Sequence, residues 1–245
     1  MKMVLLRVGT DSGCRPLHAN GPLLPDGRFE FVPLPDLCAE NETRTYGNTF
    51  GRTGRPLADY FPERRSVIAD FPMHADPEFQ SFTYGSPANM QQGLARLEPG
   101  DMLVLYGGLR PVADDGVPIP KAAHALYLLG YFDVESAVRA RDYTCEQLLT
   151  DFGQNFHVRH EDILQRDYSK LVLVKGGPGS RLLSKAVPIS GKKPNRLGRP
   201  TFVLSDEMAR VFGPLSGAGF IERCSPRWID ASFVDSAARF VRSKP

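Results

Sequence analysis

A chain of 245 residues, 42% hydrophobic and 24% charged, carries enough apolar material for a sizeable core and reads as globular. Its 30 basic against 28 acidic residues leave a net charge of +2, which excludes a global field for nucleic acid and leaves only local basic patches. Cys14, Cys38, Cys145 and Cys224 form no C-x-x-C pair, Met3 to Leu6 is too short for a signal peptide, and no apolar run approaches a membrane span; a cytoplasmic chain with reduced thiols is expected.

Met3 to Val8 reads as a buried strand entering the turn Gly9-Thr10-Asp11-Ser12-Gly13-Cys14, which places polar groups at a sheet end. Met3, Leu5 and Arg7 share a face, so the Arg7 charge needs a partner or a ligand. Pro25-Asp26-Gly27 is a turn, and Arg28 to Pro33 alternates as a strand with Phe29 and Phe31 on the core side. Residues 36–65 are polar and lack periodicity, the pattern of a long excursion. Ser66 to Asp70 reads as a short strand. It leads into His74-Ala75-Asp76-Pro77-Glu78-Phe79-Gln80-Ser81-Phe82-Thr83-Tyr84-Gly85, a loop fenced by Pro72 and Pro87 that packs an imidazole, two carboxylates and a phenol together.

Met90, Leu94 and Leu97 at helical spacing predict a helix over 89–97, stopped by Pro99-Gly100. Residues 101–106 and 125–134 are apolar strands expected to pair antiparallel, with Gly130 marking a bulge or a close backbone approach. A short helix is predicted over 146–152. Asn155 to His160 reads as extended, with His157 and Arg159 on one face. A strand over 171–175 runs into the glycine-rich turn 176–179, and Leu182 to Ala186 is expected to begin a helix there. Such a turn can present N–H groups to an anion, with Ser180, Arg181 and Lys185 adding to the cradle. Residues 191–200 form the one concentrated basic run, read as a loop that either is solvated or contacts nucleic acid. Ser205 caps a helix to Phe212, and Phe233, Ala237, Phe240 and Val241 mark a C-terminal amphipathic helix over 231–243. Together these elements specify an α+β fold: a single compact domain over 1–245 with a mixed, largely antiparallel sheet and short helices.

The ionisable residues sort into two roles. His74, Asp76, Glu78, Tyr84 and His157 are the candidate catalytic groups, because His and carboxylates serve as general acids and bases. Arg7, Asp11, Ser12, Arg159, Ser180, Arg181 and Lys185 are the candidates for holding substrate or phosphate, arginine being suited to bidentate phosphate contacts. His74-Ala75-Asp76 with His157 also has the H-x-D form of a metal site, but the acid–base reading is preferred and no metal ligand is assigned. A Ser180/His157/Asp76 triad lacks the G-x-S-x-G elbow. With neither a dinucleotide fingerprint nor a P-loop present, the residues name no cofactor.

In chain order, Leu6 to Gly13, Gly21-Pro22-Leu23, Phe29 to Pro35, His74-x-Asp76-Pro77-Glu78-Phe79 and Phe82-Thr83-Tyr84-Gly85 resemble the nucleotide modification associated domain 3 family. The similarity continues through residues 100–109 and 127–134, Asn155-Phe156-His157-Val158-Arg159, and Gly179 to Leu183. Cys14-Arg15-Pro16 and His18-Ala19-Asn20 depart from the glycine-richer turn such a chain would carry. The resemblance implies a part in nucleic-acid base modification systems, by association, and supplies no chemistry; the mixture of arginines, carboxylates and histidines is what fits group transfer or processing on a phosphate-bearing nucleotide. The resemblance also implies a nucleotide or nucleic-acid partner, DNA ahead of RNA, beside other components of a modification system. The strand pair around 101–134 also resembles the central hairpin of PUA-like barrels, which leaves open a barrel core and a binding module or accessory subunit in place of an enzyme.

Overall fold

Met3, Val4, Leu5 and Leu6 in β1 (Met3–Arg7) have no exposed surface, which marks a strand covered on both faces. A computed structural model of the protein describes residues 1–11, 13–36, 41–215, 219–222 and 225–245. Ser12, Cys38 and Cys224 lie outside the described residues. After β1 come β2 (Gly21–Leu23), β3 (Leu34–Pro35), α1 (Arg65–Ile68), β4 (Met73–His74), β5 (Thr83–Ser86), β6 (Met102–Pro111) and β7 (Ala125–Arg139). Then follow α2 (Cys145–Phe152), α3 (Phe156–Arg159), α4 (Glu161–Asp167), β8 (Val172–Gly176), β9 (Arg181–Pro188), β10 (Ser190–Pro194) and β11 (Pro200–Leu204). The chain ends with α5 (Asp206–Phe212), β12 (Arg227–Trp228) and α6 (Ala231–Arg242).

Eight strands form a mixed, largely antiparallel sheet in the order β12-β1-β6-β7-β8-β5, with β2 beside β6 and β9 beside β7. Among the described residues only the β1–β6 and β2–β6 pairs are parallel. The fold is α+β as expected, but among the described residues the sheet does not close into a barrel. β7 is the spine: its first half pairs with β6 and β9, its second half with β8. Leu105 faces Gly130 while Tyr106 faces Leu128, so Leu129 is the extra residue of a bulge. Gly130 is needed there, because a Cβ would lie 2.6 Å from the Arg181 carbonyl.

Met208 and Phe212 of α5 and Val234, Ala237 and Val241 of α6 join the same hydrophobic core as the buried residues of β1 and β6. Ser205 caps α5 by accepting the Met208 N–H at 3.2 Å. The excursion between 41 and 65 holds a smaller core, in which Tyr46, Leu57, Tyr60 and Phe61 pack against Leu17, Val32, Ile68 and Met73. Buried Glu30 organises its tip by accepting the N–H groups of Arg52 (2.7 Å) and Thr53 (2.9 Å).

Five local expectations are corrected. Ser66 to Asp70 is not a strand but contains the turn of α1, which follows a 3-10 turn started by Pro62, and Val67 is exposed with no sheet to join. Arg28 to Pro33 makes only a bridge from Phe29 to Leu23. Residues 89–96 are 3-10 helix with three residues per turn, so Gln91, Leu94 and Leu97 are buried and Met90 is exposed. Leu182 to Ala186 is part of strand β9 rather than a helix, its partner register running Gly130↔Leu182. The basic run 191–200 is a hairpin, β10 paired with β11 around Gly198, not a loop.

Candidate functional site

His74 ends β4, and pairing of Leu34 with His74 across the β3–β4 ladder carries Asp36 to the same place. Asp36 Oδ2 lies 3.1 Å from His74 Nδ1. Asp76 follows two residues on and accepts the Gly85 N–H of β5 with both oxygens, at 3.0 and 2.8 Å. The segment expected to be extended over 155–160 is helical at Phe156–Arg159: the Asn155 side chain accepts the His157 N–H at 3.1 Å and caps α3. Asn155 also donates to Thr83 of β5 at 3.4 Å, which fixes α3 against the sheet. His157 Nδ1 then lies 2.9 Å from Asp167 Oδ2 at the end of α4, and Arg166 donates to both Asp167 oxygens at 2.9 and 3.0 Å.

With each Nδ1 turned to a carboxylate, the two Nε2 atoms face each other at 3.1 Å. Asp76 Oδ2 stands 3.9 Å from the first and 3.6 Å from the second. The Phe156 ring stacks on His74 with centroids 4.0 Å apart, so the imidazole cannot swing away without giving up that stacking. These groups open on a cavity of about 380 Å³ that Arg7, Asp11, Cys14, Tyr84, Gln91 and Arg166 also line.

Burial acts first on each ionisable group. It would lower His74, but the hydrogen bond to Asp36 and the nearby Asp76 carboxylate outweigh it and raise the imidazolium to about 9. Burial pushes Asp76 above the usual carboxylate range against the pull of His74 and His157. It also works upward on Asp167, yet hydrogen bonds from His157 and Arg166 win and hold that carboxyl well below the usual range. Burial raises the Cys14 thiol, which disfavours a reactive thiolate there.

Of the residues singled out in the sequence, His74, Asp76, Tyr84, His157, Arg7 and Asp11 meet at this cavity. Arg7 is held by Asp11 at 3.1 Å and by the Glu222 carbonyl, which answers the buried-charge question raised by β1. Glu78 and Arg159 belong instead to a separate ion network with Arg44, Glu42 and His160, anchored by the 2.7 Å Arg44–Glu78 pair. The proposed anion cradle is not built as expected. Ser180 accepts the Asp133 N–H at 3.1 Å and pins the turn to β7, while Arg181 and Lys185 stand exposed on β9. Sequence reasoning missed Asp36, Arg166 and Asp167, which have no motif of their own and arrive through the β3–β4 ladder and α4.

A family model described as nucleotide modification associated domain 3 matches residues 2–231 of the 245. The chain belongs to that family. No curated protein and no solved structure matches it. The family's description suggests involvement in nucleotide modification, with a nucleotide, a nucleic acid or a modification system as the setting of the chain. No described helix is long and apolar enough to cross a membrane.

Proposed function

We propose that this chain is an enzyme that alters the base of a nucleotide or nucleic acid, with the cavity around His74 and His157 as its reaction chamber. The observation that carries the reading is the convergence of two carboxylate-oriented imidazoles and a buried Asp76 on one cavity. A carboxylate at each Nδ1 leaves both Nε2 atoms as the working ends of the rings. Arg166, half exposed beside them, is a cation suited to a phosphate or a developing oxyanion. A volume of about 380 Å³ lies in the range of small-molecule sites and does not admit a duplex. A polymer substrate must therefore present an extruded base. The exposed side chains of Lys192, Lys193, Arg196 and Arg199 on the β10–β11 hairpin suit the backbone of such a polymer, for which DNA comes ahead of RNA.

Nucleoside mass spectrometry on DNA, RNA and free nucleotides from cells making the chain tests this reading. An altered nucleoside is expected with the wild-type chain and not with folded His157→Ala. Equal yield from the two proteins, or no altered nucleoside with the wild type, refutes it. The same hairpin also supports a second reading, a non-catalytic binding module, which predicts nucleic-acid affinity without any altered nucleoside.

A further inference from the structure

We infer that His74 Nε2, His157 Nε2 and Asp76 Oδ2 are the protein ligands of a divalent first-row transition-metal ion; this deepens the proposed function and rests on the same cavity. Asp36 and Asp167 each lie within hydrogen-bond distance of a histidine Nδ1, and a carboxylate in that position accepts a hydrogen bond from Nδ1–H. In the neutral rings both Nε2 atoms then carry lone pairs, aimed at each other across 3.1 Å with a carboxylate oxygen beside them. Three electron-rich atoms converging in this way repel unless a cation lies between them, either a proton shared by the two Nε2 atoms or a metal ion in its place.

The spacing specifies the size of that cation. The circle through three atoms 3.1, 3.6 and 3.9 Å apart has a radius of about 2.1 Å, and its centre lies inside the triangle. Bonds from zinc to imidazole and carboxylate are about 2.0–2.2 Å. Calcium needs about 2.3–2.6 Å and, like magnesium, prefers all-oxygen ligands, so the N₂O donor set selects against both.

Charge points the same way. Asp36, Asp76 and Asp167 bring three negative charges, and Arg166, bonded to Asp167, brings one positive charge. Once a metal ion has displaced the proton between the rings, both imidazoles are neutral and this group bears two net negative charges, which a dication offsets.

The surroundings match those of working metal centres. Carboxylates behind metal-bound histidines fix ring orientation and raise ligand basicity, and Asp36 and Asp167 occupy that position. Asp76 is itself braced by the Gly85 N–H, and Phe156 packs flat on the His74 ring. Three protein ligands leave further coordination positions, and these face the cavity, where water or substrate enters. Two histidines and one carboxylate are the donor set of catalytic zinc sites and of non-haem iron(II) sites alike.

The test uses the full chain freed of any histidine tag, stripped with EDTA and titrated with cobalt(II) by visible absorption and with zinc(II) by calorimetry. One equivalent is expected to bind to the wild type. His157→Ala should abolish that binding. Asp167→Asn, which touches no metal and keeps the side-chain shape, should weaken it by about 10- to 100-fold. Circular dichroism checks the fold of each variant, and elemental analysis of the wild type decides the matter if the variants fail to fold. Binding well below one equivalent, or equal affinity in folded His157→Ala, overturns the inference. The two proposals fail separately. Altered nucleosides from a chain that binds no metal leave the enzyme and remove the metal centre; stoichiometric metal without any altered nucleoside does the reverse.

Discussion

Gly85→Ala is the sharpest single probe of how the sheet sets the site. A Cβ at this position would lie 2.8 Å from Asn155 Oδ1, 3.0 Å from His157 Cδ2 and 3.1 Å from Leu173 Cδ2. All three neighbours are buried, and two of them already hold the α3 cap and the imidazole in place. Relief requires α3 to back away from β5 by a few tenths of an ångström or more, which stretches the 3.1 Å Nε2–Nε2 approach and strains the Asp76–Gly85 hydrogen bonds. Overpacking of this kind costs about 1–3 kcal/mol, so the variant should remain folded but unfold at lower urea. Its modified-nucleoside yield should fall far more than its stability, because catalytic geometry tolerates less displacement than packing does. Gly177→Ala is the control: its Cβ would meet nothing closer than 3.6 Å, and both quantities should stay near wild type. If Gly85→Ala matches Gly177→Ala in urea midpoint and in yield, the close approach of α3 to β5 does not govern the site.

Other outcomes follow from the same structure. Glu30→Gln turns an amide N–H₂ toward one of the Arg52 and Thr53 N–H groups in place of a buried carboxylate oxygen and should cost about 1–3 kcal/mol by chemical denaturation; an unchanged midpoint would show that the excursion tip does not depend on it. Asp230 caps α6, and hydrogen bonds from the Ser232 side chain and backbone hold its carboxyl below the usual range. A depressed folded-state pKa gives stability that is present above the unfolded pKa and lost as pH falls through the folded one. Asp230→Asn keeps the cap without the titration, so its melting temperature should fall less than the wild type's between about pH 5 and pH 2; parallel acid limbs would exclude this role. Alanine at Lys192, Lys193, Arg196 and Arg199 together should weaken nucleic-acid binding and lower the salt slope by about 1 for each phosphate no longer neutralised. A salt-independent affinity would remove the hairpin from the interface.

The elements legible in the sequence are those whose own residues decide them. β1, β6, β7 and β8 are apolar runs long enough to demand burial, and Ser205 announces α5 by its side chain alone. β9 defeats a local reading because Leu182, Leu183 and Ala186 suit a helix, while its actual state is set by pairing with distant Tyr127, Leu128, Gly130 and Tyr131. The 89–96 segment betrays its type only through which residues are covered, the period of three at Gln91, Leu94 and Leu97. The site is half visible for a similar reason. His74-x-Asp76 lies in one short loop and His157 in a distinct motif, so both stand out in the sequence. Asp36, Asp167 and Arg166 are ordinary polar residues of a strand end and a helix end, and only tertiary docking gives them a role. Glu78 and Asp76 are two residues apart, yet one joins the Arg44 network and the other joins the imidazoles.

The sequence spacings within the imidazole cluster bear on when it forms during synthesis. Asp76 and Gly85 are 9 residues apart, and His157 and Asp167 are 10 apart, so each half closes locally. The two halves meet across 83 residues, a separation whose closure must await the strands between them. A ribosome-bound chain that has not reached residue 167 therefore holds His74 and Asp76 but lacks the finished His157 half. The cluster is therefore absent from an unfinished polypeptide and assembles only with the completed fold.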